Sequence, residues 1–197
     1  MIDMEIEYEA TFTNIDKDEV RARLKEAGAK LVRSEFLQER VNLHLPKEKR
    51  SKDAWLRVRN EGENTTLSLK VIDGSNIDNQ KEICLQVDNF DGAIKLLETI
   101  GCEKKAYQET KRELWELDGV EITIDEWPFL EPFVEVEGTS EAEVKEVSER
   151  IGFDYNKALF CAVGALYKMK YGIAPDEINS TEKIVFDMEN PFLKKQK

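Results

Sequence analysis

Several short segments of this chain alternate apolar and charged residues, and within most of them the charges carry a single sign. In Glu5-Ile6-Glu7-Tyr8-Glu9-Ala10-Thr11-Phe12 the carboxylates fall on one face and Ile6, Tyr8, Ala10 and Phe12 on the other, which is the two-residue period of a β-strand. Leu56-Arg57-Val58-Arg59 sets two guanidinium groups against two apolar side chains, and Thr66-Leu67-Ser68-Leu69-Lys70 sets a lysine against leucines. Glu121-Ile122-Thr123-Ile124-Asp125 and Phe133-Val134-Glu135-Val136-Glu137 repeat the alternation with carboxylates. For any one strand, the solvated face of an antiparallel sheet accounts for the pattern. Sorting of acidic and basic charges into separate strands is more than solubility needs. A sheet curled into a barrel with a charged lumen uses that sorting, with carboxylates holding cations and the opposite wall holding the anion those cations bridge.

Helical segments are marked by their caps. Asp16 with Glu19 opens one that carries Val20, Leu24 and Ala27 on one face and stops at Gly28. A second is expected from about Phe90 to Ile100, before Gly101. Ser140 with Glu143 opens a third, carrying Val144, Val147 and Ile151 before Gly152, and Asn156 is expected to open a fourth with Phe160, Val163 and Tyr167 facing a core before Gly172. Strands interleaved with these helices make the fold class α+β with mostly antiparallel connections. Residues 1–172 read as one domain. Residues 173–197 lose periodicity and read as a tail, partly docked through Ile184, Val185 and Phe186.

Composition excludes several classes of function. Lys and Arg total 29 against 41 Asp and Glu, a formal net charge of −12, which repels phosphate backbones and anionic lipid and argues against general nucleic-acid or membrane-surface binding. The single histidine, His44, read as a strand-end surface residue, leaves little room for zinc sites or for Ser-His-Asp chemistry. Cys84, Cys102 and Cys161 are scattered without CxxC spacing, which fits a reducing compartment. With no apolar run of membrane-spanning length and no signal-peptide pattern in Met1-Ile2-Asp3-Met4-Glu5, a soluble cytoplasmic protein is expected.

Glutamates two apart on a strand project the same way and can share a hard divalent cation, Mg²⁺ or Mn²⁺, with several waters retained. Glu7 with Glu9 and Glu135 with Glu137 form two such pairs, and Asp125 is a fifth oxygen donor. Arg57, Arg59, Lys70, Lys111 and Arg112 are expected to form the basic wall, since arginine suits bidentate phosphate recognition and lysine adds a compact charge. A triphosphate-bearing small molecule bridged by one or two cations is the ligand this arrangement fits best.

These residues resemble the CYTH superfamily of triphosphate tunnel metalloenzymes. The resemblance is carried by Glu7-Tyr8-Glu9-Ala10-Thr11 against an ExExK signature, the Leu56–Arg59 strand, Lys70, Lys111-Arg112, Asp125 and Glu135-Val136-Glu137, over about Met4 to Tyr171. It implies an eight-stranded antiparallel barrel forming a tunnel packed by helices, with metal on Glu7, Glu9, Asp125, Glu135 and Glu137 and triphosphate on Arg57, Arg59, Lys70, Lys111 and Arg112. The activity implied is metal-dependent hydrolysis of tripolyphosphate, thiamine triphosphate or a nucleoside triphosphate. The alternative is a class IV type adenylyl cyclase that makes cyclic AMP and pyrophosphate from ATP. The signature lysine is Thr11 here, and Cys84 and Gln86 stand where carboxylates commonly alternate, which keeps a non-catalytic triphosphate binder as a further reading.

Overall fold

In the computed structural model, which describes residues 4–72, 76–78, 80–179 and 181–193, the alternating segments become the staves of a closed antiparallel barrel. The strands are β1 (Glu5–Phe12), β2 (Lys30–His44), β3 (Ala54–Asn60), β4 (Thr65–Ile72), β5 (Gln80–Val87), β6 (Glu103–Leu117), β7 (Val120–Glu126) and β8 (Phe133–Gly138). Their order around the sheet is β2-β3-β4-β5-β1-β8-β7-β6, and pairing of β2 with β6 closes it. β2 and β6 are 15 residues each and pair almost end to end. Two-residue periodicity then puts every charged alternation on the inside and every apolar one on the outside.

Helices cover the outward apolar faces. α1 (Lys17–Glu26) is capped by the Asp16 carboxylate, which accepts from the Asp18 and Glu19 amides, and α3 (Glu141–Arg150) by the Ser140 hydroxyl. Their Val20, Leu24, Val144 and Val147 pack on Ala10, Phe12, Ile122, Ile124, Val134 and Val136 of the barrel wall. α2 (Phe90–Thr99) places Ala93, Ile94 and Leu97 on Val41, Leu43 and Val58.

The fourth helix begins later than expected. Residues 155–157 form a single 3₁₀ turn, the backbone of Leu159 exchanges two 2.9 Å hydrogen bonds with Thr11, and α4 runs only over Gly164–Tyr171. Phe160 is therefore outside any helix, held in extended chain by that bridge to β1. Beyond it, α5 (Pro175–Asn179) and β9 (Lys183–Ile184) follow, and β9 pairs in parallel with Tyr107 and Gln108 of β6. Ile173, Ile178, Ile184, Val185 and Phe192 are buried, and most of them form a third apolar cluster with Trp127, Phe133, Tyr167 and Tyr171. Ser180 and Lys194–Lys197 of the expected tail, and Met1–Asp3, lie outside the described residues. Among the described residues no helix is long and apolar enough to cross a membrane, and all three cysteines are free thiols.

Candidate functional site: a tunnel with two half-walls

The barrel encloses a cavity of about 550 Å³. Its lining divides by strand. Arg112 on β6, Arg40 on β2, Arg57 and Arg59 on β3, and Lys70 on β4 occupy four contiguous strands; Glu82 on β5, Glu7 and Glu9 on β1, Glu135 and Glu137 on β8, and Glu121 on β7 occupy the other four. One half-wall is basic and the other acidic. Ion pairs close the seams between them. At the β4–β5 seam Lys70 Nζ lies 2.7 Å from Glu7 and 3.5 Å from Glu82, and Arg57 Nη2 donates to Glu82 at 3.1 Å. At the β6–β7 seam Arg112 grips Asp125 through Nε at 2.8 Å and Nη2 at 2.6 Å, and Nη2 also reaches Glu135 at 2.8 Å.

The acidic half-wall is organised in cross-strand rows. Glu9 pairs directly with Glu137, and Glu137 with Glu121 across the next strand pair. Directly opposed side chains of this kind have Cβ atoms about 4.5–5.5 Å apart, and like charges so placed repel. Burial, together with Glu137, pushes the Glu9 carboxyl above its ordinary range against the pull of Lys70 and Arg112. Glu135 is raised well above it by burial and by Glu9 and Asp125, with Arg112 opposing. Glu7 is pushed up to about 8 by burial and by its hydrogen bond with Glu82. Glu82 goes the other way: burial would raise it, but the hydrogen bond with Glu7 and the charges of Arg57 and Lys70 hold it below the usual carboxylate range.

Oxygen-only donors in opposed, repelling rows fit a hard divalent cation. Among the described residues no three His, Cys, Asp or Glu side chains converge into a closed metal cage. The donor set therefore suits an ion bound through one or two carboxylates that keeps its remaining positions for water and for ligand oxygens, as Mg²⁺-like ions do. The carboxylates on that half-wall are those of Glu7, Glu9, Glu82, Glu121, Glu135 and Glu137.

The structure brings together all the sequence-predicted side chains except two. Lys111 is adjacent to Arg112 on β6, so it points outward; its ammonium lies 4.7 Å from the Phe186 ring centroid and 3.8 Å from Glu126. Asp125 shares the inward face but is sealed, 1% exposed, between Arg112 and the Thr123 hydroxyl at 2.9 Å, which holds its carboxyl low through the Arg112 charge despite burial. It serves Arg112 and does not line the cavity. Arg40, Glu82 and Glu121 line it and lie outside the predicted set of site residues. Glu121 shares Asp125's alternation and Glu82 sits in Lys81-Glu82-Ile83-Cys84, so both carried a legible signal. Arg40 lies in Gln38-Glu39-Arg40-Val41-Asn42, where polar residues on both faces hide the period.

One end of the cavity is walled by the last part of the chain. Ala162, Val163, Gly164, Ala165, Tyr167, Pro175 and Ile178 line it beside Trp127. The connection from β7 to β8 is pinned there by α4: the Tyr167 hydroxyl donates to the Pro128 carbonyl at 2.7 Å and the Tyr171 hydroxyl to the Phe129 carbonyl at 2.6 Å. Phe129 adopts φ 69°, a left-handed conformation that is strained for a bulky residue, and these contacts hold it.

A family model described as the CYTH domain matches residues 1–161. The chain belongs to the CYTH family. Members of this family are in general enzymes that act on triphosphates with divalent metal. Among solved structures this CYTH chain is similar to a conserved hypothetical protein from Pyrococcus furiosus, at 21% identity and TM-score 0.68 over 81% of this chain and 99% of that one. It is also similar to a candidate adenylate cyclase from Vibrio parahaemolyticus, at 12% identity and TM-score 0.70 over 83% and 98%. A candidate adenylyl cyclase from Hippeastrum, described as having a dominant triphosphatase activity, aligns at 12% identity and TM-score 0.54 over 86% and 96%. At such identities the likeness is one of fold. No curated protein matches the chain.

Proposed function

We propose that the tunnel binds a triphosphate and hydrolyses it, with Mg²⁺ or Mn²⁺ bound on the acidic half-wall. The observation that carries this reading is the division of the lumen into a basic half and an acidic half. A bare anion site would not need the second, and a bare cation site would not need the first. Arg57, Arg59, Arg112 and Lys70 are placed to take the non-bridging oxygens of the chain and to stabilise charge on the transferring phosphoryl group. Water attacks the terminal phosphorus, the bond to the bridging oxygen breaks, and diphosphate, free or still esterified, carries away the electron pair. The divalent ion supplies further neutralisation of the phosphate charge when bound.

A cyclase reading is favoured by Trp55, which lines the cavity and offers a face for a base. A binder without turnover is favoured by Thr11, whose hydroxyl is buried opposite Glu135 with no hydrogen-bond partner and no charge. A panel of tripolyphosphate, thiamine triphosphate and ATP, each with Mg²⁺ and with Mn²⁺, separates the three. Phosphate release is expected. Cyclic AMP with pyrophosphate from ATP would select the cyclase, and tight metal-dependent binding with turnover only in Thr11→Lys would select the binder. Absence of both binding and turnover with every compound would overturn the triphosphate reading itself.

A further inference from the structure

Every cationic side chain of the basic half-wall from Arg57 onward has a carboxylate within ion-pair distance: Arg57 has Glu82, Arg59 has Glu61 at 2.7 Å, Lys70 has Glu7, and Arg112 has Asp125 and Glu135. Arg40 is the exception among the described residues of that wall. It is 6% exposed, and its hydrogen bonds go only to neutral oxygens, from Nη2 to the Gln38 amide at 2.9 Å and to the Thr110 hydroxyl at 2.5 Å. Its guanidinium carbon lies 4.6 Å from the centroid of the Trp127 ring, which fixes the plane of the fork. The Nε–H is buried and has no acceptor. Burial and the charges of Arg57, Arg59 and Arg112 all work against its protonated form, with Asp125 opposing.

A buried guanidinium with a free donor, no paired carboxylate and three arginines around it is expensive unless something anionic arrives. Arg57 and Arg59 also keep a buried Nε without a hydrogen-bond partner, but each of those guanidinium groups already has a carboxylate as counter-charge; Arg40 has none. We propose that Arg40 is a further substrate-contacting residue of the tunnel, donating through its Nε edge to a phosphoryl oxygen of the bound triphosphate. The proposal rests on the triphosphate reading above. Because the counter-charge comes from the ligand, the charge of Arg40 adds to affinity, while in the empty protein its desolvation offsets its hydrogen bonds and its contact with Trp127.

The test compares wild type with Arg40→Gln, by calorimetric titration with tripolyphosphate in Mg²⁺ and by melting without ligand. Affinity is expected to fall about 10- to 100-fold, the range for a lost charge-assisted hydrogen bond, while the ligand-free melting temperature stays level or rises. A purely structural arginine would give the opposite pair of results, lower melting and unchanged affinity, and that outcome overturns the proposal. If Arg40→Gln does not fold, Arg40→Lys carries the test: it keeps a charge but loses the stacked fork, so affinity should fall about 5-fold or more, and wild-type affinity overturns the proposal. Absence of tripolyphosphate binding by the wild type would overturn the triphosphate reading first and this one with it.

Discussion

Glu7 and Glu82 show what the lumen does to single residues. They sit on adjacent strands, share Lys70 and hydrogen-bond to each other, so one retains a proton that the other gives up. Glu7, raised from 4.5 to about 8, holds its proton in the folded state over a range in which the unfolded chain has already released it. Stability from this group is therefore present at low pH and lost as pH rises through that window. In chelator-treated protein, Glu7→Gln should remove that loss, so that denaturant midpoints of variant and wild type, close at about pH 5, diverge in the variant's favour by about pH 8.5. Parallel profiles would show that the pair does not share a proton in this way. Inward placement of Glu7, Glu9, Arg57, Arg59, Lys70, Arg112, Glu135 and Glu137 was legible because the strand period is two and nothing interrupts it. Lys111 fails by the same rule, since neighbours on a strand face opposite ways. The sealing of Asp125 by Arg112 was not legible, because it depends on which strands meet at a seam.

At the scale of elements, caps and glycine stops located α1, α2 and α3, where local chemistry decides the ends. α4 starts at Gly164 because a non-local event, the two-way backbone bridge between Thr11 and Leu159, keeps the preceding residues extended. The stretch after residue 172 has no period to read, as each of its apolar residues is used singly. Phe192 is an example, 1% exposed with its ring centroid 5.1 Å from Tyr167, 5.6 Å from Tyr171 and 6.1 Å from Phe129. Phe192→Ala is expected to cost about 3–5 kcal/mol locally. Hydrogen exchange should quicken at Ile184 and across α4 before it changes in β3 and β4. Exchange that rises uniformly over the barrel would mean that this segment and the barrel are a single cooperative unit.

For the whole molecule, the formal charge of −12 is a statement about the outside. The charged residues lining the cavity comprise seven acidic ones, Glu7, Glu9, Asp53, Glu82, Glu121, Glu135 and Glu137, and seven basic ones, Arg40, Lys52, Arg57, Arg59, Lys70, Lys105 and Arg112. They cancel formally, which leaves the envelope to carry the entire excess. A triphosphate with its divalent ion binds only the folded arrangement of these groups, so at about a hundred times the dissociation constant it should stabilise the protein by about 2.7 kcal/mol. For a chain of this size that is a rise of about 5–10 °C in melting temperature. No rise with metal and triphosphate together would mean that the two half-walls do not act on one ligand. The family match ends at residue 161, yet the cavity wall continues through Ala162, Tyr167 and Ile178. A barrel cut at that boundary would keep its eight staves and lose the wall at one end of its cavity. Water entering through that open end would take the effective dielectric around the lumen charges from about 20 toward 80, and an ion contact at about 4 Å from about 4 kcal/mol to about 1. The closing segment of the chain therefore serves as the tunnel's electrical insulation.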